Sequence, residues 1–464
     1  MKSPTAPAAL LCLVLTAPPR PAGAAYIGNL LSGPTTADPA AVYWNPAAMT
    51  LMKGTHGMLF SAFSAIRLAY QRDTPSPVDG LPFPEATTTV AGFDPTVHVV
   101  TDATLERFRF GVGLSVPIAD GASWPATTGG RPSSTRYYAL EGKDVYFVIG
   151  VAAAYRITRY LSIGVGLDIL GIWQAVDSMT DFGARLNQLT CAWVGASSCP
   201  LDAPLSREDP TYQGLTTAGG VGYSVGGYGG VLLEPFRWLR LGVGFHSGGR
   251  VKVPIDVTVE IPGSVISYVT QNLPSVTLPP LEATLEIDGV APMVATAGVA
   301  VTAADRLELA ADLHWLGKSA TEVLRMQVRQ SSTSLVGEQV QAKGRRDGYL
   351  FGVQGNYQLL DNLRLALRIE YTPNSRPAPY VSPVSLDFDR LALHVGAAWT
   401  AVPWLTLTLE YGHYFTWERR ITVSRYGPNP MPATPEEAGF DLPPATGWYD
   451  VGVDRFGLGM LLHF

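Results

Sequence analysis

Leu363-Arg-Leu-Ala-Leu-Arg-Ile-Glu-Tyr371 carries an apolar side chain at every odd position, with Arg364, Ala366, Arg368 and Glu370 between them. A strand sends successive side chains to opposite faces, so this stretch has one apolar and one polar face. The split recurs in Leu405-Thr-Leu-Thr-Leu-Glu-Tyr411 and in Leu307-Glu-Leu-Ala-Ala-Asp-Leu-His-Trp315. In Leu239-Arg-Leu-Gly-Val-Gly-Phe-His246 and Leu391-Ala-Leu-His-Val-Gly-Ala-Ala-Trp399, the second face holds Arg240, His246, His394 and small residues.

A soluble sandwich also alternates, but two features favour a membrane barrel. Tyr160, Trp238, Tyr357, Trp399 and Trp404 stand at strand ends beside short turns, where aromatic rings settle at a membrane–water interface. The connections also fall into two classes. Thr158-Arg159, Ala304-Asp-Arg306, Asp361-Asn362 and Val402-Pro403 are short, whereas 74–89, 178–213, 262–280, 331–346, 373–387 and 426–447 are long. Short periplasmic turns alternating with long outer loops mark an outer membrane barrel.

Strands are expected at 56–71, 93–102, 108–119, 134–157, 161–176, 214–234, 239–262, 281–303, 307–330, 345–360, 363–372, 388–402, 405–424 and 449–464. The class is all-β, an antiparallel transmembrane barrel of fourteen strands. Phe456, Leu458, Met460, Leu462 and Phe464 share one face of the last strand, and its C-terminal Phe looks like a barrel-insertion signal. Val451 and Val453 are out of phase with that run, which predicts a bulge near Asp454-Arg455.

Composition agrees with this class. Of 464 residues only 16% are charged and 47% are hydrophobic, yet from Ala25 onward there is no run of 18 apolar residues for a helical span. A formal charge of −6 without a basic block excludes a nucleic-acid surface. Residues 1–24 read as a secretory signal: Lys2, an apolar core from Ala8 to Ala17, then Ala22-Gly-Ala24. Export makes Cys191 and Cys199 candidates for a disulfide closing their loop. The seven histidines are scattered with no metal spacing, and no nucleophile elbow or phosphate loop occurs, so neither catalysis nor a cofactor is expected.

Residues 25–55 do not alternate. A wide barrel needs a plug or holds water, and this segment is read as a hatch inside the barrel of residues 56–464. Within it, Asp38-Pro-Ala-Ala-Val-Tyr-Trp-Asn45-Pro46-Ala47 resembles the hatch of the FadL/TodX family of outer membrane transporters for long-chain fatty acids and other hydrophobic compounds. Ala154-Tyr-Arg-Ile157 and Leu161-Ser-Ile-Gly-Val-Gly-Leu167 extend the resemblance.

The resemblance implies passive uptake by a monomer in the outer membrane of a Gram-negative bacterium, in contact with its lipids. A hydrophobic molecule would be caught by outer loops, enter a barrel pocket, and leave sideways at a kink in the third strand. Asn45, Pro46 and Ala47 would sit beside that kink, for which Gly111, Gly113 and Pro117 are the candidates. Arg240, Arg364, Arg368 and Arg390 are expected to face inward, as headgroup cations or as partners of Glu308, Asp312, Glu370 and Glu410. Where the family has a basic residue after the fifth strand, this chain reads Gly171-Ile-Trp173-Gln, and Trp173 joins the candidate substrate contacts. In loop 177–213, Leu186, Leu189 and Trp193 either form an apolar capture groove or pack on one another. The rival reading is a general diffusion porin for polar solutes, which would not need the plug.

Overall fold

The computed structural model describes residues 32–120, 123–184, 186–187, 205–272, 278, 281–332, 338–342, 344–425 and 443–464. Fourteen antiparallel spans close into one barrel. They are β1 (Thr55–Arg72), β2 (Ala86–Thr101), β3 (Phe108–Asp120), β4 (Glu141–Arg156), β5 (Leu161–Asp181) and β6 (Gln213–Phe236). Next come β7 (Leu239–His246 and Gly249–Val259), β8 (Leu281–Ala291 and Val294–Ala304), β9 (Leu307–Leu316 and Val323–Ser331) and β10 (Glu338–Ala342 and Gly348–Leu360). The last four are β11 (Leu363–Thr372), β12 (Arg390–Val402), β13 (Leu405–Thr416 and Arg419–Ile421) and β14 (Gly447–His463).

Each span pairs with its sequence neighbours, and β14 pairs with β1 from His56–His463 to Arg72–Gly447. Closure leaves no open edge, which sheet backbone in lipid requires. At the seam, Thr55 and Phe464 exchange both backbone hydrogen bonds, at 2.9 and 2.8 Å.

The outward face is an apolar belt: Leu59, Phe63, Val165, Leu167, Val243 and Leu458 are all exposed. Phe236, Trp238, Trp399 and Trp404 ring its short-turn rim, and Tyr223, Tyr349, Tyr371 and Trp417 lie further along the strands. Two aromatic girdles around an apolar band match a bilayer with two interfaces.

The interior changes character along the axis. Near the short turns the inward side chains are polar, including His98, His246, His314, Arg368, Glu370, His394, Glu410 and Arg455. Toward the long connections they are apolar. Val251, Val253, Ile255, Val257 and Val259 of β7 pack with Leu281, Ala283, Leu285 and Ile287 of β8. Residues of the connections, Trp124, Tyr137, Tyr138, Phe182, Leu186, Val265, Val384 and Phe388, fill this outer chamber.

Three expectations are corrected. The pairing of β14 with β1 and β13 is continuous through Asp454 and Arg455, so there is no bulge. Tyr449, Val451 and Arg455 all point inward; the pattern changes because the lumen is apolar at one level and polar at the next. The strand expected to start at 134 starts at Glu141, because Ser134–Ala139 turn into the apolar chamber with Tyr137 and Tyr138 buried. β2 begins earlier than expected, at Ala86, where its threonine run hides the alternation but still pairs with β1.

Candidate functional site

Inside the polar level lies the N-terminal segment. Ala41–Trp44 make one helical turn and Pro46–Leu51 a 3-10 helix. Asn45 joins them, with extended backbone and a fully buried side chain. Its Oδ1 accepts from the Ala47 N–H at 3.1 Å, capping the 3-10 helix, while Nδ2 donates to Pro34 O at 2.8 Å and Val231 O at 3.0 Å. Both ends of one amide are thereby used, and Pro46 at the first helical position surrenders an N–H that has no partner there.

The wall opposite is bare. A Cβ on Gly230 would stand 2.1 Å from Asn45 Oδ1, one on Gly242 2.2 Å from Pro34 O, and one on Gly164 2.5 Å from Ala47 N. Backbone can approach backbone this closely only where side chains are missing. The Asn45-Pro46-Ala47 motif therefore meets β5, β6 and β7. The hatch side chains over Gly111 of β3 are instead Val42 and Met49, at 2.5 and 2.7 Å from an added Cβ.

Wall donors hold the carbonyls of this segment. Arg109 donates to Met52 O at 2.5 Å and Arg156 to Thr50 O at 2.9 Å. His246 Nε2 meets Tyr43 O at 2.8 Å, and His98 Nδ1 meets Pro39 O at 3.1 Å. Asp38 accepts from the Ser32 hydroxyl and the Ala40 N–H, yet burial pushes its carboxyl up to about 6. At the short-turn rim, the Gly54 N–H donates to Asp102 Oδ2 at 2.7 Å, and this bond with that of Thr104 holds the Asp102 carboxyl below its usual value.

Among the described residues the wall is interrupted beside the hatch between β2 and β3, and pairing also lapses between β6 and β7 from Tyr228–His246 to Tyr223–Lys252. β3 pairs with β2 only from Thr101–Phe110 to Thr96–Ser115, so residues 86–95 of β2 bond to β1 alone. On its other side, β3 places Val116 and Pro117 opposite Phe147 alone, a one-residue bulge before Ile118–Tyr146. Proline cannot donate to a ladder and marks such breaks. A narrow gap lies just inside, between the hatch residues Val42 and Tyr43 and the wall residues His98, Ser115, Tyr228 and His246.

The four arginines have different surroundings. Arg368 is 1% exposed and bonds Asp312 through both terminal nitrogens at 2.7 Å and Glu370 through Nε at 2.5 Å. Gly352 makes the bridge possible, since its Cβ would stand 2.3 Å from the guanidinium. Arg240 pairs with Glu308, and Arg364 sits exposed at the short-turn rim beside Gln358. Arg390 is 8% exposed, stacks over the Tyr414 ring at 5.6 Å, and has no carboxylate partner among the described residues. Trp173 points out of the barrel at 44% exposure, and Leu186 is buried in the outer chamber. Leu189, Cys191, Trp193 and Cys199 lie outside the described residues, as do residues 1–31.

Sequence reasoning passed over His98, Tyr43 and Tyr228. His98 lies on the inward phase of β2, next to polar Thr96, a signal open to reading. Tyr228 is a lone aromatic inside the glycine run Gly226–Gly230, whose bulk had to be received by bare backbone opposite.

Comparison with known proteins bears on what this arrangement does. A search of curated sequences finds no match. Among solved structures, a FadL homologue of Pseudomonas aeruginosa superposes with a TM-score of 0.76 at 18% identity, over 97% of this chain and 100% of that one. The toluene transporter TodX of P. putida gives 0.65 at 14% identity, over 95% and 98% of the two chains. The toluene transporter TbuX of Ralstonia pickettii gives 0.60 at 14% identity, over 94% and 99%. Identities this low establish the shared fold. The family model described as outer membrane protein transport protein (OMPP1/FadL/TodX) matches residues 17–434. With a closed fourteen-stranded barrel carrying its N-terminal segment inside, this chain belongs to the OMPP1/FadL/TodX family of outer membrane transport proteins.

Proposed function

We propose that the protein carries hydrophobic small molecules passively across the outer membrane, and that they leave sideways through the wall at β3. The observation that carries this reading is the lost β2–β3 pairing above Ser115, next to the Val116–Pro117 bulge and the hatch-side gap. Lateral exit suits an apolar cargo, because it passes from apolar chamber to lipid without crossing water. The apolar outer chamber under the long connections serves as the capture site, with Leu186 in its packing and Leu189 and Trp193 in the same loop.

On this reading residues 1–24 are an export signal, 25–55 the hatch and 56–464 the barrel of a monomer. Asn45, Pro46 and Ala47 fasten the hatch, Gly111 admits it against β3, Gly113 makes room for the His98 ring beside the β3 interruption, and Cys191–Cys199 staples the outer loop. Arg390 is the cation for an anionic headgroup, whereas Arg240, Arg364 and Arg368 serve the wall.

The test is uptake by an outer membrane lacking other hydrophobic transporters. A labelled long-chain fatty acid, a neutral aromatic hydrocarbon and a small sugar are offered in parallel. Either apolar compound enters and the sugar does not; entry of the sugar alone would make this an open pore. Deleting Pro117 restores one-to-one pairing of β3 with β4 and should abolish apolar uptake in a folded barrel. Full uptake by that variant would rule out the sideways exit.

A further inference from the structure

Tyr228 lies across the bare backbone of β4 and β5. Its hydroxyl would stand 2.9 Å from a Cβ on Gly150, and its ring carbon Cζ 2.3 Å from one on Gly166. The ring stacks on His246 at 4.8 Å, nearly parallel. The side chain is 6% exposed, and its hydroxyl has no hydrogen-bond partner among the described residues. Buried tyrosine hydroxyls normally find one, and leaving one unmade is costly.

The two histidines at the gap are occupied. His98 bonds Pro39 O and Ser115 Oγ, the latter at 2.8 Å. His246 bonds Asp168 and Tyr43 O. Among the described residues the gap presents two phenols, Tyr43 and Tyr228, of which Tyr228 has its hydroxyl buried without a partner, and no free cation or carboxylate, between apolar Val42, Val148 and glycine backbone. Its wall side belongs to hydrogen-bonded strands. Its hatch side, Val42 and Tyr43, does not, so displacement of the hatch widens it toward the interruption in β3.

We propose that this gap, once the hatch shifts, binds an apolar molecule bearing one neutral hydroxyl or carbonyl oxygen, which completes the hydrogen bond of Tyr228. The proposal rests on the transport reading and narrows its substrate class. A pocket whose buried phenol is unmatched favours the ligand that supplies the match over the isosteric hydrocarbon, because the hydrocarbon leaves that phenol unpaired. A carboxylate gains little here, since no cation accompanies the phenol.

The test uses the full-length barrel in detergent and equilibrium dialysis with 4-ethylphenol and ethylbenzene at pH 7, where the phenol is neutral. Each value is corrected for partition into the micelle. The phenol should bind about tenfold more tightly, a difference of about 1.4 kcal/mol. In Tyr228→Phe the ratio should fall to about one; using the ratio cancels any general loosening of the pocket. A control, Tyr223→Phe on the outer face, should keep the tenfold preference. Equal binding of the two ligands by the unaltered protein overturns the proposal, as does a preference that survives Tyr228→Phe, since another group such as the Tyr43 hydroxyl then supplies the bond. Binding of neither ligand overturns the proposal too, while the transport reading falls only if the sugar alone enters in the uptake assay, so the two failures are distinct.

Discussion

The carbonyl oxygen of Tyr43 lies 2.8 Å from His246 Nε2, while Nδ1 of the same ring lies 3.0 Å from Asp168 Oδ2. A carbonyl only accepts, and so does an ionised carboxylate. The imidazole and the carboxyl must together hold two protons to make both bonds. One wall side chain thereby ties the helical turn of the hatch to β7 and β5.

Replacing His246 by Ala removes the donor to Tyr43 and leaves Asp168 buried without it. The expected cost is about 1–3 kcal/mol for the local structure. Amide hydrogen exchange at Val42–Asn45 should quicken by about tenfold or more, while exchange in β11 and β12 stays as it was. Unchanged protection of the hatch amides would show that the ring does not hold it.

Glycine substitutions separate hatch docking from barrel integrity. A methyl group at Gly230 would overlap the Asn45 amide, whereas at Gly227, three residues away, it meets nothing within 4 Å. Gly230→Ala should unseat the hatch and raise small-ion conductance in planar bilayers. Gly227→Ala should conduct like the unaltered protein. Equal conductance of the two variants would mean that Asn45 docking does not close the lumen.

The barrel was legible in sequence because lipid enforces one apolar face on every strand at one level. That is why Leu363–Tyr371 and Leu405–Tyr411 read without ambiguity. Legibility ended where the strands leave the bilayer. There the alternation inverts: Val251, Val253 and Ile255 face inward while Lys252 and Asp256 face out. The sequence shows apolar residues changing phase, and a bulge and an inverted environment look alike. In β14 the second was the case. The hatch motif could be found, but its docking could not, because glycines spaced in sequence on β5, β6 and β7 converge only in the closed barrel. The arginines had the same limit: Arg368 and Arg390 both occupy inward positions, and only the neighbouring strands decide which of them meets carboxylates.

Asp102 gives a pH dependence. Its carboxyl is held below the usual value by the Gly54 and Thr104 N–H groups. A depressed folded pKa adds stability above the unfolded value and loses it as pH falls through the folded one. At pH 7 Asp102→Asn should therefore unfold at a lower temperature than the unaltered protein. The gap should close as the pH drops below the carboxylate range, where the native side chain is itself protonated. A gap constant from pH 7 to strong acid would show that the charge on Asp102 contributes nothing.

Arg368 and Arg390 should answer differently to the same substitution. Removing Arg368 strands Asp312 and Glu370 in the interior, a loss of about 3–5 kcal/mol when one partner of a buried ion pair goes. Arg368→Met should lower the unfolding temperature and reduce uptake of a labelled fatty acid and a neutral aromatic hydrocarbon alike. Arg390 leaves no carboxylate behind among the described residues, only the face of Tyr414. Arg390→Met should keep the unfolding temperature and the uptake of the hydrocarbon, while uptake of the fatty acid falls by about tenfold or more. Loss of both substrates in Arg390→Met would make this arginine part of the wall, and the headgroup cation would have to be sought elsewhere in the outer chamber.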